Sequence, residues 1–294
     1  MEPSSIGHSE LIINDKGCIY HLGLHPDELA DTVITVGDPD RVAKVSRHFD
    51  SIEIRRQHRE FVTHTGYIGP KRLSVVSTGI GPDNVDIVLN ELDALVNIDF
   101  NTRTVKPATR SLNIFRMGTS GASQASVAIN SLVVSSFALG LDNLLHFYQF
   151  ENNEEERSLL AEFMMYLGLD GDALHPYLFQ GSVSLLHHFI NGFTQGITVT
   201  CPGFYAPQGR VLRQSLAYPQ LIDKLTGFQS GSRQITNFEM ETAALYGLGR
   251  TMGHHCLSIS TIVDNRITKE FSADSEAAVG QMIQKCLPII SSID

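Results

Sequence analysis

The chain is expected to fold as an α/β protein, on three observations. Short β-branched or apolar runs at residues 32–36, 73–78, 111–115, 132–137, 197–200 and 256–263 alternate with stretches of helical periodicity such as 83–95, the pattern of a sheet flanked by helices. The first of these runs stops at Gly37-Asp38-Pro39-Asp40-Arg41, where glycine, an early proline and an arginine suit an anion-binding turn. A third run, ending at Phe115, passes into Arg116-Met117-Gly118-Thr119-Ser120-Gly121-Ala122, an arginine followed by two hydroxyls between glycines. Such residues at a sheet edge are where open α/β folds bind ligands.

With 294 residues the chain can bury a sizeable core, and nothing in it reads as a linker, repeat or low-complexity segment. One domain over residues 1–294 is the economical expectation. A net charge of −10 disfavours nucleic acid and anionic membranes as partners, so an anionic ligand would need arginines gathered locally. Cys18, Cys201, Cys256 and Cys286 are scattered, and the twelve histidines contain no His-Glu-x-x-His, which speaks against disulfides and a metal hydrolase. The start, Met1-Glu2-Pro3-Ser4-Ser5, lacks a basic then apolar pattern, and no apolar run reaches bilayer length, so a cytoplasmic protein is expected.

Taken in order, residues 1–20 form a lead-in, and Tyr20-His21-Leu22-Gly23-Leu24 frames a histidine in apolar residues. A helix is expected over 42–49, paired strands over 54–68 around His58-Arg59-Glu60-Phe61, and a strand at 73–78 that stops in Gly79-Ile80-Gly81-Pro82. The helix at 83–95 sets Val85, Val88, Leu89 and Leu92 on one face. Residues 97–110 read as a polar loop, 159–167 as a short amphipathic helix, and 178–196 as an insert able to reshape a pocket rim or an oligomer. The strand at 197–200 feeds Cys201-Pro202-Gly203-Phe204-Tyr205-Ala206-Pro207-Gln208-Gly209-Arg210, which sets aromatic faces, an amide and a guanidinium within a few residues. A flat heterocycle with a carbonyl and N–H edge needs those groups. Residues 237–252 are expected as one helix with Glu239 and Glu241 in its first turn, and 273–293 as the closing helix.

Seven motifs in this order resemble the nucleoside phosphorylase superfamily, and within it the uridine phosphorylases. They are Tyr20-His21-Leu22-Gly23-Leu24, Gly37-Asp38-Pro39-Asp40-Arg41, His58-Arg59-Glu60-Phe61, Ser77-Thr78-Gly79-Ile80-Gly81, residues 116–121, Phe204-Tyr205-x-x-Gln208-x-Arg210 and Phe238-Glu239-Met240-Glu241. The resemblance implies a three-layer αβα sandwich around a mixed, partly barrel-like sheet, and reversible phosphorolysis of uridine to uracil and ribose 1-phosphate. It assigns phosphate to Gly37, Arg41, Arg116 and Thr119, with Arg59 from a neighbouring subunit. Ribose falls to Thr119, Met240 and Glu241, with His21 across the same interface, and the base to Phe204, Gln208, Arg210, Phe238 and Glu239. Arg116, Glu241, Arg210 and Gln208 would carry the chemistry. A homodimer becomes the minimal active unit, with hexamers among bacterial relatives. No cofactor is implied beyond inorganic phosphate as co-substrate. Glu60 and Ser77 match positions that hold a monovalent cation such as K+ between subunits in some relatives.

Three alternatives stay open at this stage. Thr261-Ile262-Val263-Asp264-Asn265 also fits a purine phosphorylase pattern with an acidic aspartate, whereas Gln208 and Arg210 have no evident purine task. A hydrolytic nucleosidase of the same fold would not need the phosphate arginines, and a silent nucleoside-binding protein would need no turnover. Residues 128–132, Ala-Ile-Asn-Ser-Leu, depart from the family's usual Val-Gly-Asp-Val.

Overall fold

The computed structural model describes residues 5–168 and 174–293. Its strands are β1 (Thr32–Val36), β2 (Ser51–His58), β3 (Phe61–Ile68), β4 (Lys71–Ser77), β5 (Ile98–Asp99), β6 (Thr104–Val105), β7 (Asn113–Ala122), β8 (Leu132–Gly140), β9 (Tyr177–Gln180), β10 (Thr194–Thr200), β11 (Gln229–Ser230), β12 (Arg233–Glu239), β13 (His255–Asn265) and β14 (Glu270–Phe271). The helices are α1 (Pro39–Ser46), α2 (Pro82–Asn97), α3 (Glu154–Leu167), α4 (Val183–Leu186), α5 (Leu221–Gly227), α6 (Thr242–Thr251) and α7 (Ser275–Ser291).

One mixed sheet runs β11-β12-β10-β8-β13-β7-β1-β4-β3-β2, with β14 added to β13 and β9 to β8. A further pairing of β12 with β7 closes β12, β10, β8, β13 and β7 into a five-stranded barrel. The central strands are apolar on both faces because both are covered, as parallel strands require. Val33, Val76 and Ile114 pack against α2 and α6 on one side. Their neighbours Ile34, Val75 and Phe115 pack against α1 and α7 on the other. A third cluster sets α3 and α5 against Phe137, Leu139, Val199 and Phe238 of the barrel. The three layers are those the sequence leads one to expect.

Several elements differ from expectation. Residues 237–239 are not helical: β12 runs to Glu239 and the helix begins at Thr242. Barrel closure decides this, since the Asn237 main chain pairs with Thr198 and Ala122 while its Nδ2 donates to Ser120 Oγ at 3.0 Å. The strand read as ending at Phe115 continues through the Gly118-Thr119-Ser120-Gly121 segment to Ala122, held by β13 and then β12. The loop 97–110 contains the β5–β6 hairpin, and its cations are engaged: Arg103 donates to the carbonyls of Ile6, Gly7 and Leu11, and Lys106 to that of Val96. The 178–196 insert supplies most of β9, α4 and the start of β10.

Candidate active site

A cavity of about 690 Å³ opens where these strand ends and turns meet. Gly37 and Arg41 reach it from the β1–α1 turn, Arg116 and Thr119 from β7, and Phe204, Gln208 and Arg210 from the loop after β10. Phe238, Glu239, Met240 and Glu241 reach it from the β12–α6 junction. None of the lining residues comes from the 178–196 insert.

The turn after β1 forms because Asp38 caps α1, accepting from the Asp40 N–H at 2.9 Å, with Pro39 in the first helical turn. That fixes Arg41, whose Nη1 donates to the Met117 carbonyl at 3.3 Å and so leans across to β7. Burial, and then the charge of Arg116, push the Arg41 pKa down. Two guanidinium groups this close form a site whose natural complement is an anion.

Arg116 is buried and paired with Glu241, with Glu239 at 3.5 Å. Burial works against its charge, but the two carboxylates outweigh that cost and its pKa rises. Its Nη1 is buried and has no hydrogen-bond partner among the described residues. That atom lies over Gly118, where an added Cβ would collide with it. Glu241 is fixed from the other side by the Gly81 N–H at 2.9 Å. Glu239 accepts from Thr200 Oγ1 at 2.6 Å and from the main-chain N–H groups of Glu241 and Thr242, so it caps α6. Burial pushes the Glu239 pKa up while Arg116 opposes. Both acids line the cavity, Glu239 tied to Thr200 and the start of α6 and Glu241 paired with Arg116.

The loop after β10 is braced by a 3-10 turn at Ala206–Gln208 and by Gly209 at φ 69. Arg210 Nη1 donates to Gln208 Oε1 at 2.6 Å and to the Phe204 carbonyl at 2.9 Å. Its guanidinium carbon stands 3.8 Å from the Phe204 ring centroid, and its Nη2 donates to Asp264 at 2.9 Å. Gln208 is buried, whereas Phe204 is half exposed at the rim.

Three expected residues lie elsewhere in this chain. His21 is paired with Glu91 at 2.7 Å, and Arg59, at φ 53 in the β2–β3 turn, donates to Tyr20 Oη at 3.1 Å; neither lines the cavity. Ser77 Oγ accepts from the Val62 N–H and donates to the Glu60 carbonyl, while Glu60 itself touches the cavity rim. Ile80, Asn84 and Asp264 also line the cavity, and no site role is legible for the first two in the sequence. Glycines on either side of Ile80 were the one available signal. Among the described residues no group of three or more His, Cys, Asp or Glu could hold a metal ion. No helix among them is long and apolar enough to cross a membrane.

The family model of the phosphorylase superfamily matches residues 31–291. The uridine phosphorylase of Thermococcus kodakarensis is 29% identical over 280 residues, covering 95% of this chain and 89% of that protein. The Escherichia coli uridine phosphorylase is 27% identical over 264 residues, covering 87% and 89% respectively. Among solved structures, a Trypanosoma brucei nucleoside phosphorylase with uridine phosphorylase activity superposes with a TM-score of 0.85 at 28% identity, covering 96% of this chain and 99% of that one. A match over nearly the whole barrel and both helical layers, every element that lines the cavity included, makes this chain a member of the phosphorylase superfamily.

Proposed function

We propose that the protein is a pyrimidine nucleoside phosphorylase that converts uridine and phosphate reversibly to uracil and ribose 1-phosphate. The observation that carries this reading is the meeting of Arg41, Arg116, Glu241, Gln208 and Arg210 in one cavity, from four separate parts of the chain. The names of the relatives support the same substrate.

Inorganic phosphate binds between Arg41 and Arg116, with the Gly37 turn and the Thr119 hydroxyl as further donors. Glu241 accepts from the ribose hydroxyls, and Met240 packs against the sugar. Phosphate oxygen then attacks C1′ as the C1′–N1 bond breaks, and its negative charge favours the developing oxocarbenium ion. The bonding electrons pass to the pyrimidine, whose carbonyl oxygens carry the charge. Arg210 and the Gln208 amide stabilise that anion by hydrogen bonds aimed where charge develops. Holding both reactants in one site supplies the entropy that the bimolecular step lacks in water. Asp264 is engaged by Arg210, which favours a carbonyl-reading pocket over one that protonates a purine.

His21 and Arg59 sit outside their own chain's cavity, so on this reading they act in a partner's site and a homodimer is the smallest active unit. The test is a panel of purine and pyrimidine nucleosides assayed for base release at several phosphate concentrations. Uracil release from uridine that saturates with phosphate, with ribose 1-phosphate as co-product, is expected. Free ribose formed without phosphate would establish the hydrolytic alternative instead.

A further inference from the structure

Asp264 lines the cavity, yet the pyrimidine chemistry above leaves it without a direct task. Its placement is specific. Strand β13 pairs Ile262 with Ser120 and then Asp264 with Gly121, so Val263 is an extra residue bulged out of the ladder. Without that bulge Val263 would stand opposite Gly121 and the carboxylate would leave this position. Pairing of Asp264 with Phe271 of β14 fixes the strand from its other edge. Gly121 makes room as well, because a Cβ there would lie 2.5 Å from Asp264 Oδ1.

The carboxylate so placed meets Arg210 at 2.9 Å, and both side chains are only 15% exposed. Arg210 is then held at both terminal nitrogens, by Asp264 on Nη2 and by Gln208 and the Phe204 carbonyl on Nη1, with the Phe204 ring beneath. Arg266 braces the same loop through the Gln208 carbonyl at 3.3 Å. An unanchored arginine spreads over many rotamers, and ordering it on binding costs affinity.

We propose that Asp264 is a positioning residue that locks Arg210 in the geometry that reads the carbonyl edge of the base, setting nucleoside affinity through Arg210. The identity of the ligand rests on the phosphorylase reading, whereas the Asp264–Arg210 lock does not. In Asp264→Ala the KM for uridine rises about tenfold or more, the loss expected for one charge-assisted hydrogen bond, while the KM for phosphate stays within about twofold. In an Arg210→Ala background the same change moves the uridine KM by less than about twofold, since its effect runs through the arginine. Gly121→Ala, which crowds the carboxylate without removing a charge, raises the uridine KM in the same direction. Multiplicative effects of the two alanine variants, or an unchanged uridine KM in Asp264→Ala, overturn the proposal. A crystal structure of Asp264→Ala adds a readout independent of turnover: the lock predicts that Arg210 leaves the Phe204 ring, and a guanidinium still in place refutes it. Absence of phosphate-dependent uracil release by the unaltered enzyme would count only against the phosphorylase reading.

Discussion

Arg116 is the residue on which charge balance in the cavity turns. It is the cation closest to two buried carboxylates, and removing it leaves Glu239 and Glu241 without that partner in a low-dielectric setting. Arg116→Ala is therefore expected to lose phosphate-saturable turnover and also about 3–5 kcal/mol of stability, measured by urea denaturation. A variant of unchanged stability would mean that Glu239 is held neutral by its burial alone. A second residue-scale effect lies away from the cavity. His64 is buried, with Nδ1 2.7 Å from Ser46 Oγ and Arg55 Nη1 3.5 Å from Nε2. Burial first, and the Arg55 charge second, push its pKa below 6.5. Above that value both folded and unfolded histidines are neutral and the contribution is intact. As pH falls below it the unfolded chain takes up a proton that the folded one declines, so stability drops. His64→Gln should flatten the fall in denaturation midpoint between about pH 7.5 and pH 5.5, the window set by the ordinary histidine pKa; an unaltered slope would locate the loss in other groups.

At the scale of elements, the barrel is what brings β7, β12 and the loop after β10 to one place. Its tightness rests on small residues where strands cross. Gly196 in β10 sits at a register shift, and a Cβ there would strike the Thr236 side chain of β12. Gly196→Ala is expected to destabilise by about 1–3 kcal/mol through overpacking, leaving the KM values of the folded enzyme unchanged because the position is remote from the cavity. Altered KM values would mean that strain at this crossing reaches the site. The same strands explain where sequence patterns mislead. Residues 237–241 carry two acids and an asparagine before an apolar helical face, so local periodicity extends the helix backwards over them. Cross-strand pairing to residues far along the chain overrides it, and Glu239 becomes the cap of α6 from the end of a strand.

At the scale of the whole molecule, the two expected phosphate and ribose residues that miss their own cavity make a prediction about assembly. A chain carrying Arg59→Ala retains a cavity with Arg116, and a chain carrying Arg116→Ala retains an Arg59 to lend. Each variant alone should be impaired, and co-refolded mixtures should regain activity by forming one complete site per mixed dimer, read as uracil release against mixing ratio. Mixtures no better than the sum of the separate variants would place Arg59 outside the reaction.

The sequence by itself determined the alternation of strands and helices and the identity of most cavity residues, because β-branched runs, proline at helix starts and arginine beside glycine act over a few neighbouring positions. Gly37, Arg41, Arg116, Gln208, Arg210 and Glu241 could all be singled out that way. Tertiary structure alone decided the closure of β12 on β7, the division of labour between Glu239 and Glu241, and the bulge at Val263 that turns Asp264 towards Arg210. Those outcomes depend on hydrogen bonds and electrostatic pairing between segments up to more than a hundred residues apart, which no local pattern encodes.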